Sequence, residues 1–557
     1  MTVCDSTVTV PADASSPAPP RGISIDYRQL PWTSRLLRDY CHAFERLDRF
    51  FPGSPQSSAS LTAAFTERRG RQPDTAVAQA VVHQLETRNA PAAAIANAEL
   101  LRDNRTVTVV TGQQAGLFGG PLFTLLKALT SIKLARRLSD EHNTTVVPLF
   151  WIDAEDHDLD EIAVCQVLDA NLAPVPVTLP LAAPAGTTAA SVELDESVAT
   201  AITQLANALT PTAFTEAILT ALQTAYAPGV RLVDAFARWL DRLLGPHGLV
   251  VYDASDPTTK PLVQSVFARE LAKPGETARL AAAAGAALET KGYHAQVVPA
   301  ENVVALFRLD QTRLPIRTDA AGFRVGERTF PADTLLAELN RDPASFSPSV
   351  LLRPITQDQL FPTVAYVAGP NEIAYLGQLR QVYAAFNVPM PVIYPRASAT
   401  VVDAATVKFL TRYDVDFARL QPMDDAALNA LLSTLLPAEI DQAVTAAERS
   451  VAERLEALES AVPAVDPTLA GAVGSTRGRM ERDLRNLRGK IIQAAKRRDE
   501  TLRRQFTRAR AQSFPSGEPQ ERSLGSIYFL NRYGFAFVDR LLDNLPIEPG
   551  QHWLLTV

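Results

Sequence analysis

Residues 105–135, RTVTVVTGQQAGLFGGPLFTLLKALTSIKLA, decide the fold class. Arg105–Thr111 is dominated by β-branched residues and predicts a buried strand. Gly112–Gly120 is a glycine-rich turn, and Pro121 opens a helix with Leu122, Leu125, Leu129 and Ile132 on one face. Strand, glycine loop and helix make one unit of an α/β, Rossmann-like parallel sheet. The spacing of Gly112, Gly116, Gly119 and Gly120 fits neither the dinucleotide fingerprint nor the phosphate loop ending in Gly-Lys-Ser/Thr. Two readings stay open. Free amides and the positive end of the helix dipole would cradle an anion, with Gln113 and Gln114 orienting a carboxylate or phosphate. Alternatively, the glycines serve only a tight crossing from strand to helix.

One crossover later, Val146–Ile152 (VVPLFWI, with Trp151 near its end) predicts a second buried strand. It runs into Asp153, Glu155, Asp156, His157, Asp158, Asp160 and Glu161, seven ionisable side chains in nine residues. In an open parallel sheet, ligands bind beyond the carboxyl ends of the strands, so both loops should border one cleft. The acidic run suits a substrate ammonium group or Mg²⁺ accompanying a nucleotide, with His157 as general base. A solvated, acidic helix start is the plainer alternative. One histidine among carboxylates is a poor set for structural zinc.

A third unit repeats the pattern. Thr363–Ala368 reads as a strand, Gly369-Pro370-Asn371-Glu372 as a turn and cap, and Ile373 to Phe386, through Tyr375, as a helix leading to a strand at Met390–Tyr394. Arg353 precedes this unit and Arg396 with Ser398 follows it. Each arginine is either a cation facing the cleft or a structural partner for a carboxylate.

Composition sets the outer limits. The 557 residues carry 54 Lys+Arg against 61 Asp+Glu, with 46% hydrophobic residues, as expected of a multi-domain globular chain. No apolar run approaches the roughly 18 to 20 residues of a membrane span. Three cysteines, Cys4, Cys41 and Cys165, lack paired spacing, which fits a reducing cytoplasm. Residues 1–22, rich in Pro, Ser, Thr and Ala, read as a disordered tail. The expected order is core at 23–169, a mostly helical insertion at 170–245, core at 246–294, a small β-containing insertion at 295–345, core at 346–435, an antiparallel coiled-coil arm at 436–512, and a segment at 513–557 returning to the core.

The arm rests on periodicity and charge. Ile440, Val444, Ala447, Val451, Leu455 and Leu458 recur at helical spacing among acidic residues. Met480, Leu484, Leu487 and Ile491 repeat the seam in a stretch, 476–512, with 13 Lys/Arg and 4 Asp/Glu. Acidic and basic arms predict a hairpin, for which a second copy of the chain is the simplest partner. Nucleic acid is the less favoured occupant of the basic stripe, and Lys490, Lys496 and Arg497 are candidates for a second nucleotide site.

These segments together resemble the BshC family of bacillithiol biosynthesis. The resemblance is carried by VVTGQQAGLFGGPLFTLLKALTSIKLA at 109–135, VPLFWIDAEDHDLDEI at 147–162, VLLRPITQDQLFPTVAYVAGPNEIAYLGQL at 350–379, MPVIYPRASAT at 390–400 and PQERSLGSIYFLNRYG at 519–534. It implies a Rossmann-like core related to class I aminoacyl-tRNA synthetases and nucleotidylyltransferases, with connecting insertions and a dimerising coiled coil. It also implies a ligase that joins the carboxyl group of L-cysteine to the amine of glucosaminyl-malate, with ATP as the expected energy source. On that resemblance Glu155, Asp156, His157 and Asp158 are catalytic candidates. Gly112, Gln113, Gln114, Gly116, Gly119, Gly120, Trp151, Asp153, Arg353, Gly369, Asn371, Glu372, Tyr375, Arg396 and Ser398 are binding candidates. The HIGH and KMSKS signatures of the synthetases are absent, so acyl-adenylate and acyl-phosphate routes both stay open. A nucleotidyl or nucleotide-sugar transferase and a non-catalytic coiled-coil scaffold are the rival functions.

Overall fold

The computed structural model describes residues 22–69, 75–181, 183–300, 302–320, 322–434, 438–498 and 500–556. The tail expected at 1–22 lies almost wholly outside them. Five parallel strands form the central sheet: β1 (Val107–Gln113), β2 (Val146–Ile152), β3 (Val250–Asp253), β4 (Thr363–Ala368) and β5 (Val392–Pro395). Their spatial order is 5-4-1-2-3, all parallel. Strand order reverses between β1 and β4, and that switch point opens a crevice at their carboxyl ends.

Both faces of the sheet are covered, which is why its strands read as unbroken apolar runs. Val109, Phe150 and Val251 face a core containing α1 (Leu122–His142) and the helix Leu232–Leu244. Val110, Trp151 and Tyr252 face the opposite core with Tyr40, Val81 and Ile373. A register shift between Thr363 and Ala365 puts both Val364 and Ala365 on the first face.

The insertions differ in part from expectation. Segment 170–245 includes the strand Pro174–Thr178, which pairs with Val164–Leu168, and its last helix belongs to the core, with Phe236 6.1 Å from Phe150. The β insertion is an antiparallel sheet of five strands, including Val303–Leu309 and Arg313–Asp319, closed by Phe346–Pro348. The single helix expected from Ile373 to Phe386 is two, α2 (Pro370–Leu376) and Arg380–Ala385. They part at Gly377, where a Cβ would lie 2.9 Å from the Phe51 ring.

The arm consists of Ala438–Ala461 and Leu469–Arg498, joined by Arg477–Glu459 and Arg488–Asp441 ion pairs of 3.0 and 2.8 Å. Glu500–Ser513 buries Leu502, Phe506 and Ala509 against Phe409, Phe417 and Leu420, so this part of the chain packs on 402–434 at the arm's foot. The C-terminal segment returns, with Gln551–Leu555 pairing between Gly22–Asp26 and Ser398–Val401. Among the described residues, no helix is long and apolar enough to cross a membrane.

Candidate functional site

The glycine loop and the acidic loop meet. The Asp153 amide donates to the Gln113 carbonyl at 3.0 Å, and Gln114 Nε2 donates to Asp156 Oδ2 at 2.6 Å and Glu161 Oε2 at 3.2 Å. Both lie beyond the carboxyl ends of β1 and β2, beside the switch point. A cleft of about 370 Å³ runs from Gln113, Gln114, Gly116 and Gly120 to Glu161 and the Pro515–Gly525 segment.

The loop itself differs from an open anion cradle. Its Gly116, Gly119 and Gly120 amides donate to the Gln114, Gly116 and Leu117 carbonyls at 2.9, 3.1 and 3.0 Å, and the Leu122 amide donates to the Leu524 carbonyl at 2.8 Å. These donors are spent inside the protein, as a tight crossing requires. Gly112 is demanded by contact, since a Cβ there would approach the Trp151 carbonyl oxygen to 2.8 Å. Gly119, at φ +93°, needs the left-handed region and also sits against Trp239.

The switch point is held by Lys127, which no motif signalled. Its ammonium group, 1% exposed, donates to the Gly112 carbonyl, to Gln113 Oε1 at 3.1 Å and to Glu372 Oε2. Glu372 in turn accepts from Tyr366 Oη at 2.8 Å and the Gly369 amide at 2.7 Å. The ammonium group thus spends all three protons tying β1 to the start of α2. Burial pushes the Lys127 amine down, while Lys127 holds the Glu372 carboxyl below its ordinary value against burial. The one sequence clue is a lone charge in the apolar run 122–132.

The remaining candidates separate by what they touch. Arg353 is buried, donates to Tyr375 Oη at 2.7 Å, and brings Nε within 3.7 Å of Asp153 Oδ2. Asp153 has no hydrogen bond to its carboxylate among the described residues, and burial raises its pKa above the ordinary carboxylate value despite Arg353. Asp156 is half-buried, while His157 and Asp158 are exposed. Glu155 belongs elsewhere: it is buried and ion-paired with Lys260, which removes it from the catalytic set. Trp151 packs in the core 5.2 Å from Tyr252.

Arg396 and Ser398 are likewise occupied. The Arg396 guanidinium forms a two-pronged pair with Glu521 at 2.7 and 3.0 Å, and Ser398 Oγ lies 3.0 Å from Glu521 Oε1 and 2.8 Å from His552 Nδ1. The structural alternative holds for both, and neither is free for a substrate carboxylate. With Asn371 and Tyr27 they line a cavity of about 80 Å³ at the ends of β4 and β5.

Among the described residues, no three His, Cys, Asp or Glu side chains are grouped to hold a metal ion. On the arm, Lys490 is exposed, and the side chains of Lys496 and Arg497 lie outside the described residues. The basic groove in that region is lower, at the arm's foot, where Arg503, Arg504, Arg508 and Arg532 line about 880 Å³ with Tyr528.

Comparison with known proteins matches the whole of this architecture. Residues 23–397 fit the family described as "Bacillithiol biosynthesis BshC, N-terminal Rossmann-like domain", and residues 399–557 fit its "C-terminal coiled-coil domain". A protein of Salinibacter ruber named "Putative cysteine ligase BshC" is 35% identical over 94% of this chain and 96% of its own length. Proteins of the same name from Koribacter versatilis and Geobacillus thermodenitrificans are 32% and 31% identical, covering 93% and 92% of this chain and 97% and 96% of their own. The likeness thus runs along nearly the full length, and the chain belongs to the BshC family of bacillithiol biosynthesis.

Proposed function

We propose that the protein is a ligase that forms an amide between L-cysteine and glucosaminyl-malate, driven by ATP. Family membership supports the cysteine-ligase class. The observation that carries the reading to the crevice at the carboxyl ends of β1 and β2 is Asp153, a carboxylate that burial pushes toward protonation, with no hydrogen-bond partner among the described residues, set 3.7 Å from the buried Arg353. Such a carboxylate suits an amine nucleophile, and the adjoining guanidinium suits the malate carboxylates that the same substrate carries.

In this reaction ATP is a substrate. The cysteine carboxylate attacks the α- or the γ-phosphorus of ATP, forming a mixed acyl anhydride and releasing pyrophosphate or ADP respectively. The glucosamine nitrogen then adds to the acyl carbon. The C–N bond forms, the bond from the acyl carbon to the phosphate oxygen breaks with AMP or inorganic phosphate leaving, and the proton lost from nitrogen passes to Asp153. The Gly116, Gly119 and Gly120 amides, being spent internally, are not assigned to phosphate.

The test is to incubate the purified chain with cysteine, glucosaminyl-malate and ATP and to identify the products by mass. AMP or ADP then reports the activation route. Asp153→Asn should lower turnover about 100-fold or more; wild-type turnover in that variant removes the base from this residue. We also propose that the arm pairs with a second copy. Ile440, Leu458, Met480 and Leu487 are 39% to 49% exposed on the hairpin, an apolar surface that a partner arm would cover. Sedimentation should give a dimer that Leu487→Glu with Met480→Glu converts to monomer.

A further inference from the structure

We propose that Arg313, brought in by the β insertion, is a positioning residue that fixes His157 as the tautomer protonated on Nε2, so that the exposed His157 ring offers a ligand a hydrogen-bond donor and not a base. Arg313 opens the strand Arg313–Asp319, more than 150 residues away from the acidic loop in sequence. Its guanidinium is gripped from several sides. Nη2 donates to the Pro348 carbonyl at 2.7 Å, and the group stacks 4.0 Å above the Phe307 ring. The Arg313 amide donates to the Gly186 carbonyl at 2.8 Å, which joins the β insertion to the helical one. The side chain is 9% exposed, and its Nε is buried without a partner.

Held in this way, Nη1 lies 3.4 Å from His157 Nδ1 and 3.8 Å from Asp156 Oδ1. A guanidinium has five donors and no acceptor. Its only favourable contact with Nδ1 is therefore with a lone pair, and a neutral imidazole whose Nδ1 accepts must carry its hydrogen on Nε2. Asp156 Oδ1, 3.6 Å from Nδ1, would favour the other tautomer, but that oxygen already accepts the His157 amide at 2.8 Å and faces Arg313. Asp156 Oδ2 is committed to Gln114. His157 Nε2 has no partner among the described residues, so its N–H is free for a ligand.

The tautomer does not depend on which reaction the protein performs; its use rests on the ligase reading. There, Nε2–H would donate to the acyl oxygen as negative charge grows on it during attack by the amine. The proton from nitrogen goes to Asp153, so the two side chains divide the roles of donor and base.

The tautomer is read directly by two-bond ¹H–¹⁵N correlation on protein labelled at histidine, at a pH where the ring is neutral, with the His157 signal assigned by its loss in His157→Gln. Wild type should show unprotonated Nδ1 and protonated Nε2. Arg313→Met should shift His157 toward the Nδ1–H form facing Asp156, and Arg313→Lys, which keeps a donor, should hold the wild-type pattern. Unprotonated Nε2 in wild type, or an unchanged pattern in a folded Arg313→Met, overturns the proposal. In turnover, His157→Gln should lose about 100-fold. Arg313→Met should lose part of that, and the double variant should be no worse than His157→Gln. Additive losses overturn the positioning role. If no variant and no wild type forms the amide, the ligase reading fails while the tautomer is still decided by the spectra.

Discussion

Two sets of charges sit at the carboxyl ends of this sheet and are built on opposite principles. In the first, Lys127 with Glu372 and Arg396 with Glu521, three of the ions are buried and Glu372 is half-buried, and each carboxylate accepts from two or more donors. In the second, the acidic loop with Arg313 beside it, Asp153 keeps an unbonded carboxylate, Arg313 an unpartnered Nε and His157 a free Nε2 among the described residues. A group whose hydrogen-bonding capacity is spent can orient a backbone but cannot bind a ligand without breaking what it holds. Charge density in the sequence marks the second set, while the first is nearly invisible there, so stability and chemistry should respond to different substitutions.

The sharpest way to break that comparison is at Lys127. Lys127→Met leaves the half-buried Glu372 without its counter-charge and should cost about 2 to 4 kcal/mol of unfolding free energy, measured by denaturant titration. Lys127→Met with Glu372→Gln should recover much of the loss, because no ion is then stranded. A loss under 1 kcal/mol in the single variant would mean that the clamp is not a closed unit.

Next in size is His552, between Ser398 and Thr400 at 2.8 and 2.9 Å. Burial pushes its pKa down from 6.5 to about 4. A histidine that is depressed in the folded state binds fewer protons there than in the unfolded chain. Stability is therefore full above about 6.5 and falls as the pH drops toward 4, by about 3 kcal/mol over that window. His552→Gln should flatten this limb in unfolding titrations at pH 7 and 4.5, and an unchanged acid slope would assign the loss to other groups.

How much of this was legible follows the range of the interaction. β2 and β4 fall at the residues expected, since a fully covered strand must be apolar at every position. The hairpin was legible because opposite charges on two helical periods specify each other. The fate of the glycine-loop amides was not, because it turns on backbone angles such as φ +54° at Phe118, which composition does not dictate. Glu155 looks like its acidic neighbours until Lys260, 105 positions on, is folded against it. Arg313 is one arginine in an insertion rich in them, and only the tertiary placement of that insertion singles it out.

The smallest stability effect should fall on the residue expected to matter most for turnover. Asp153 titrates above its ordinary value in the folded protein, so the folded state binds more protons than the unfolded chain just above the usual carboxylate range, and stability declines as pH rises through that interval. Replacing it with Asn removes that penalty but also takes an anion from beside Arg353, which keeps Tyr375 as a partner. The two effects oppose each other, and Asp153→Asn should stay within about 1 kcal/mol of wild type at pH 7. A loss approaching that of Lys127→Met would put Asp153 in the structural set with Glu372, and the proton transfer assigned to it would fall.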